Sequence, residues 1–311
     1  MRVLLTGGSG MLGQALRRLS PEIAPDLDLL APFRADLPLT DRAAVARWFA
    51  DNPVDAVIHA AARVGGIQAN IADPVGFLSD NLVMNEAVIM GAHEAGVGRL
   101  VFLGSSCMYP RDHRQPLVEE DILAAPLEPT NEGYALSKIA GARLCDYVSR
   151  QYPGRAYRTL IPCNLFGAGD HFGSAASHLI AAAITKVVDA RDAGVDEVEI
   201  WGSGRARREF LDVDHLARFI LTRLPDLGAL PGLLNIGAGR DHSVDDYYRM
   251  VAERAGWQGR FVHDACRPVG MRSTLLSSAG AEALGYRPHG GVEAVLAGAI
   301  VAYEGLMPGQ G

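Results

Sequence analysis

Tyr134-Ala135-Leu136-Ser137-Lys138 sets a phenol and an ammonium four residues apart at the start of a predicted helix. Positions i and i+4 share a helix face. An ammonium beside a phenol favours phenolate and draws its pKa below the usual value near 10. Such a phenol suits the task of donating a proton to a carbonyl oxygen that receives hydride. Only Lys138 and Lys186 are lysines among the 29 basic residues. Arginine is otherwise used throughout, so an ammonium at 138 points to work that a bulkier, geometrically fixed guanidinium does poorly. The plainer alternative is a surface lysine beside a packed tyrosine.

The stretch Gly104-Ser105-Ser106-Cys107-Met108-Tyr109-Pro110 follows an apolar run, Arg99-Leu100-Val101-Phe102-Leu103. In a parallel sheet, ligands gather beyond the carboxyl ends of the strands. A hydroxyl from Ser105 or Ser106 can there donate to the same carbonyl oxygen as the phenol. Cys107 read alone is more often a small buried filler.

A third constellation is Thr6-Gly7-Gly8-Ser9-Gly10-Met11-Leu12-Gly13, lying between the first apolar strand and the first helical pattern. Gly7, Gly10 and Gly13 have the spacing of a dinucleotide loop. They allow a tight turn and close backbone approach, and the helix N-terminus then holds a pyrophosphate. NAD-binding chains carry a carboxylate at the end of the second strand. Here that segment reads Leu30-Ala31-Pro32-Phe33-Arg34. With no acid at the tip and Arg34 available for a 2′-phosphate, NADP is the expected cofactor.

These groups need a scaffold, and the apolar pattern supplies one. Strand-like runs at Val3-Leu4-Leu5, 27–30, Ala56-Val57-Ile58, 100–103 and Thr159-Leu160-Ile161 alternate with helical patterns at 11–20, 41–51, 74–96 and 132–152. Alternating elements with continuous apolar strands predict an α/β fold, a doubly wound parallel sheet covered on both faces. After residue 165 the pattern mixes short strands with helices near 177–192 and 213–224, and Leu233-Leu234-Asn235-Ile236 reads as a further strand. The expected organisation is a Rossmann-type domain over 1–165 with a returning segment near 209–240. A smaller α/β lobe would comprise 166–208 and 241–311.

Composition removes several function classes. The chain has 311 residues, 49% of them apolar, enough for a sizeable core. A net charge of -7 argues against nucleic acid as a partner. No apolar run approaches a membrane helix, and Gly7 and Gly8 come too early for a signal peptide. Cys107, Cys145, Cys163 and Cys266 form no CxxC pair, so metal and dithiol chemistry are not expected. A reducing cytoplasmic setting is the default. His171, His215 and His263 lack ligand spacing and read as structural or exposed.

Long stretches resemble the GDP-L-fucose synthase family of the extended short-chain dehydrogenase/reductases. They include AAARVGGIQAN (60–70), LGSSCMYP (103–110), LEPTNEGYALSKIAGARLC (127–145), PCNLFGAGDHF (162–172), SHLI (177–180) and WGSGRARREFLDVD (201–214). The resemblance implies an NADPH-dependent 3,5-epimerase/4-reductase of a GDP-4-keto-6-deoxy sugar, typically a homodimer. It makes Ser105, Tyr134 and Lys138 a reductase triad, and Cys107 and His178 an epimerisation pair. It assigns Leu103, Pro162, Cys163, Asn164, Leu165 and His178 to the cofactor site alongside the glycine loop. Lys186, Trp201 and Arg208 would face the substrate, with arginine suited to a diphosphate.

The chemistry implied is coherent. A ketone at C4 acidifies the hydrogens on both C3 and C5, so one carbonyl licenses inversion at two carbons. A thiolate and an imidazole suit the base and acid near neutral pH. The chain departs from the family pattern at Ser9, Arg63, Gly133, Val269, Thr274 and Ser277, and the last three fall in the substrate lobe. A different sugar is therefore open, as are a 4-reductase without epimerisation, acting for example on a GDP-4-keto-heptose, and a silent NADP-binding protein.

Overall fold

The computed structural model describes residues 1–170, 172, 179–267, 269–288 and 291–306. Its larger sheet is parallel throughout, with β1 (Arg2–Thr6), β2 (Asp28–Leu30), β3 (Ala56–His59), β4 (Arg99–Leu103), β5 (Ala156–Pro162) and a late-returning strand, Leu233–Ile236. The last pairs with β5 in the register Leu160↔Leu234. In the order β2-β1-β3-β4-β5 the chain winds one way from β1 to β2 and the other way from β1 to β3. This reversal opens a crevice at the carboxyl edge. Val3, Leu4 and Leu5 of β1, and all four residues of β3, are buried, as strands covered on both faces require.

The covering helices follow from their patterns. α1 (Met11–Ile23) buries Leu12, Ala15, Leu16 and Leu19, one face at helical spacing. α2 (Arg42–Asp51) starts where Asp41 accepts from the amides of Ala43 and Ala44. α3 (Ile67–Ala72) is a short turn that periodicity does not announce. α4 (Pro74–Glu94) begins with Pro74 in its first turn and Asp73 accepting from Gly76 N at 2.9 Å. α5 (Glu132–Gln151) lies against α4 and buries Ala135, Lys138, Ala142 and Cys145.

Most of the remaining elements build a second, smaller body around its own apolar core, and the rest pack on the parallel sheet. β6 (Asn164–Phe166) pairs with β8 (Arg207–Asp212), which also carries β10 (Asp241–Ser243) and β12 (Ser273–Thr274). β7 (Glu197–Trp201) pairs with β11 (Arg260–Asp264), and the returning strand at Leu233–Ile236 is β9. α6 (Leu179–Asp192), α8 (Val244–Ala255) and α10 (Val292–Glu304) pack together. α7 (Val213–Arg223) lies on α1, and α9 (Ala279–Ala283) lies on β9. A Ser243/Asp246 capping box fixes the start of α8. There are two apolar cores, one around the parallel sheet and one around α6, α8 and α10. β8 walls them apart by strand alternation: Phe210 packs in the second and Leu211 in the first.

Candidate active site

The glycine loop lies at the crevice. Gly7 has φ +74, and a Cβ on Gly13 would fall 2.2 Å from the carbonyl oxygen of Gly7. Only glycine lets α1 approach the loop so closely. The N-cap residue Gly10 offers no side chain to the first amides of α1, which are thus left for a ligand. The loop floors a groove of about 730 Å³ whose far end is lined by Ala31, Arg34 and Arg17. Arg34 stands where β2 leads out of the sheet, as the sequence predicts, and Arg17 joins it from α1, which no motif signals. A groove of this length, with a glycine cradle, a helix N-terminus and two guanidinium groups, fits a dinucleotide phosphorylated on its ribose.

At the carboxyl end of β4, Ser105 starts a short 3₁₀ turn, Ser106–Met108, and its hydroxyl accepts from Cys107 N at 3.3 Å. The same hydroxyl lies close enough to the Tyr134 phenol and the Cys107 thiol to favour the ionised form of each. Lys138 is buried; its Nζ donates to the carbonyl of Leu103 at 2.7 Å and lies 5.7 Å from the Tyr134 ring centre. Thus Ser105, Cys107, Tyr134 and Lys138 converge, and Leu103 holds the ammonium through its backbone. Asn131 Nδ2 donates to Cys107 Sγ at 3.2 Å, a contact the sequence did not single out.

The electrostatics correct one expectation. Burial pushes the Tyr134 phenol above its usual pKa; the Cys107 sulfur adds to this and the Ser105 hydroxyl opposes it. The phenol is therefore held protonated rather than drawn toward phenolate. Burial outweighs a lysine whose Nζ is committed to Leu103. Lys138 itself is pushed down to about 8 by burial, with Cys107 opposing. The Cys107 thiol is raised by burial, while Ser105, the Arg208 charge and Asn131 pull it back.

Beneath the loop lies a second feature outside the sequence reading. His59 is fully buried; its Nδ1 meets Thr6 Oγ1 at 2.7 Å and its Nε2 meets Asn85 Oδ1 at 3.1 Å. Asn85 uses its amide to donate to Ser137 O at 3.0 Å. Its oxygen must then accept, so the ring carries its proton on Nε2 and takes the Thr6 hydroxyl on Nδ1. Burial, aided by the Lys138 charge, pushes His59 down to about 3, so the ring is neutral. This chain ties β1, β3 and α4 to the helix that carries Tyr134.

Pro162 ends β5, and Asn164 in β6 donates to the Glu209 carbonyl at 2.9 Å. Cys163 is buried and Leu165 packs on the larger core, all at the same sheet edge as Ser105. In the smaller body, Lys186 Nζ lies 5.2 Å and Arg267 5.1 Å from the Trp201 ring centre. Trp201 Nε1 donates to Glu199 Oε1 at 2.7 Å. Arg208 donates to the carbonyls of Arg207 and Val269 and is electrostatically coupled to Cys107. Arg267 thus stands on the Trp201 ring, and the Val269 carbonyl accepts from Arg208. Arg267 escaped sequence reading because the Trp201 ring it faces comes from a strand far away in the chain. His263 pairs with Asp245 at 2.8 Å. His178 and His171 lie outside the described residues. No helix among the described residues is long and apolar enough to cross a membrane, and none of their His, Cys, Asp and Glu side chains cluster as a metal site.

Comparison with known proteins places this geometry. The profile of the NAD dependent epimerase/dehydratase family matches residues 3–237. The chain is 44% identical to a GDP-L-fucose synthase of Azorhizobium caulinodans, covering 94% of this chain and 93% of that one. It is 41% identical to a GDP-L-colitose synthase of Yersinia pseudotuberculosis, over 89% of this chain and 90% of that one. Among solved structures, a GDP-mannoheptose C4 reductase of Campylobacter jejuni with NADP bound superposes with a TM-score of 0.87 at 27% identity, covering 97% and 98% of the two chains. With the glycine cradle, the Ser105–Tyr134–Lys138 cluster and these relatives in agreement, the chain belongs to the NAD-dependent epimerase/dehydratase family.

Proposed function

We propose that this protein is an NADPH-dependent 3,5-epimerase/4-reductase of a GDP-4-keto-6-deoxy sugar, of the GDP-L-fucose synthase type. The observation that carries the reading is the meeting of Ser105, Cys107, Tyr134 and Lys138 at the end of β4, where the Ser105 hydroxyl stands beside both phenol and thiol and Lys138 beneath the phenol. The relatives named as GDP-sugar synthases supply the substrate class.

In this reading Gly7, Gly10, Met11, Leu12 and Gly13 hold the pyrophosphate, Arg34 and Arg17 take the 2′-phosphate, and Pro162, Asn164 and Leu165 flank the nicotinamide. NADPH supplies the hydride to C4. Tyr134 and Ser105 donate hydrogen bonds to the C4 oxygen, first as enolate and then as alkoxide, and the protonated phenol gives the alkoxide its proton. Cys107 removes the proton from C3 or C5 and His178 returns one from the opposite face. Lys186, Trp201 and Arg208 bind the nucleotide diphosphate. Exposed Leu82 and Val83 on α4, with Leu136 and Tyr147 on α5, support a homodimer through this helix pair. Light scattering at several concentrations measures that assembly.

The test is turnover of GDP-4-keto-6-deoxymannose with NADPH in deuterated water, followed by NMR of the product. Deuterium at C3 and C5 with loss of NADPH absorbance is the expected result. NADPH loss without deuterium would replace this reading with a simple 4-reductase, the activity named for the Campylobacter relative. NADPH binding without turnover on any GDP- or dTDP-linked 4-keto sugar would reject both.

A further inference from the structure

Asn131 holds the N-cap position of α5, where an asparagine side chain ordinarily accepts from the second or third amide of the helix. Here it makes no capping bond. Its Nδ2 is turned to Cys107 Sγ at 3.2 Å. Its Oδ1 is buried with no hydrogen-bond partner. A missing cap and an orphaned buried carbonyl both weaken the fold. A side chain kept for stability would rotate to cap the helix. This one makes a single contact in exchange, and that contact is the sulfur.

We propose that Asn131 is a positioning residue for proton abstraction: its amide holds the Cys107 sulfur in one orientation and donates a hydrogen bond to the thiolate. The proposal rests on the reading of Cys107 as the base. The other groups facing the sulfur are Ser105 on its own turn, Arg208 from β8, and Tyr134 and Lys138 from α5. Arg208 and Lys138 contribute charge and Ser105 a hydroxyl. Asn131 adds a directed N–H on a helix terminus anchored to the rest of the site. In the step it serves, the thiolate takes a proton from the carbon beside the ketone. The C–H pair becomes the enolate double bond, and the carbonyl π pair moves onto oxygen. An acid on the far face returns a proton to that carbon, and the thiol later yields its proton to solvent.

The experiment uses Asn131→Ser and Asn131→Asp in a Cys266→Ser background, since Cys266 is exposed whereas Cys145 and Cys163 are buried. Serine and aspartate are both good caps, so the helix start keeps its stability. Three quantities are read: the pH midpoint of Cys107 alkylation by iodoacetamide, deuterium wash-in at C3 and C5 of GDP-4-keto-6-deoxymannose without NADPH, and the melting temperature. For Asn131→Ser the alkylation midpoint rises by about one pH unit, wash-in falls at least tenfold, and melting is unchanged or higher. Asn131→Asp moves the midpoint further, because a carboxylate disfavours the thiolate. An unmoved midpoint in both variants, or a lower melting temperature as the sole effect of Asn131→Ser, would overturn the proposal. Absence of wash-in by the wild-type protein would instead sink the epimerase reading, and the alkylation midpoint alone would then decide whether Asn131 governs the sulfur.

Discussion

Lys138 should set the pH dependence of the site. The ammonium is cationic below about 8, because burial lowers its pKa from 10.5. Its charge and its bond to Leu103 hold the carboxyl end of β4 against α5 beneath Tyr134. Reductase kcat/KM should therefore fall above about pH 8. Lys138→Met should lower it by about 10²-fold or more at every pH and abolish that limb. Stability moves the opposite way. Between 8 and 10.5 the unfolded chain keeps a proton that the native state has lost, so the native state gains stability as pH rises, on the order of 3 kcal/mol at most. Activity that falls while the denaturant midpoint rises over the same window is the outcome to look for. Unchanged kcat/KM across that window would rule Lys138 out. The sequence made this lysine conspicuous by rarity and spacing. It did not reveal that burial raises the neighbouring phenol, because desolvation depends on what α4 and the Ser106–Met108 turn place around it.

At the scale of elements, six apolar runs read from the sequence form the six strands of the parallel sheet, and the helical patterns at 74–96 and 132–152 become α4 and α5 within two residues. Continuous apolar strands and amphipathic periodicity are local signals, and they survive in the fold. The pairings of β6, β10 and β12 with β8 were not legible, since short strands of mixed polarity carry no period. Neither was the tightness of the β4–α5 contact, which fixes where Lys138 stands against the end of β4. A Cβ on Gly141 would fall 2.5 Å from Cζ of Phe102, whose ring also lies 4.9 Å under Lys138 Nζ. Gly141→Ala should thus push α5 away from β4, costing about 1–3 kcal/mol and slowing hydride transfer as Lys138 moves. Thermal unfolding and single-turnover NADPH oxidation measure the two effects. Adding Phe102→Leu should restore stability by making room for the methyl. A Gly141→Ala protein with unchanged melting would show that the helix and strand tolerate a wider gap than the contact implies.

Across the whole molecule, one carboxylate joins the two bodies. Glu209 in β8 is fully buried. Its Oε1 accepts from Ala238 N at 2.6 Å and Gly239 N at 2.8 Å, just past β9 of the parallel sheet, and its Oε2 accepts from Leu276 N at 2.9 Å. In sequence it is one more acid beside two arginines, and only the fold shows what it fastens. Three amide donors favour the charged form, yet burial outweighs them and raises the carboxyl to about 7. The native state therefore holds a proton between pH 4.5 and 7 that the unfolded chain has released. Its contribution is complete below 4.5 and is lost as pH rises through 7, by at most about 3 kcal/mol. Glu209→Gln does not titrate, but its amide nitrogen must face a backbone N–H, so it is weaker than the protonated acid. The stability advantage of wild type over Glu209→Gln, taken from guanidinium unfolding, should be largest near pH 5 and smallest near pH 8. A constant gap would mean that the carboxyl is ionised throughout, with the three amides outweighing burial. Glu209→Ala goes further: it removes the acceptor of the part-buried Ala238 and Gly239 amides and leaves the buried Leu276 N–H unpaired, the last at about 1–3 kcal/mol. Because β8 also carries Arg208 beside Cys107, the loosened strand should lower wash-in of deuterium before the parallel sheet itself unfolds.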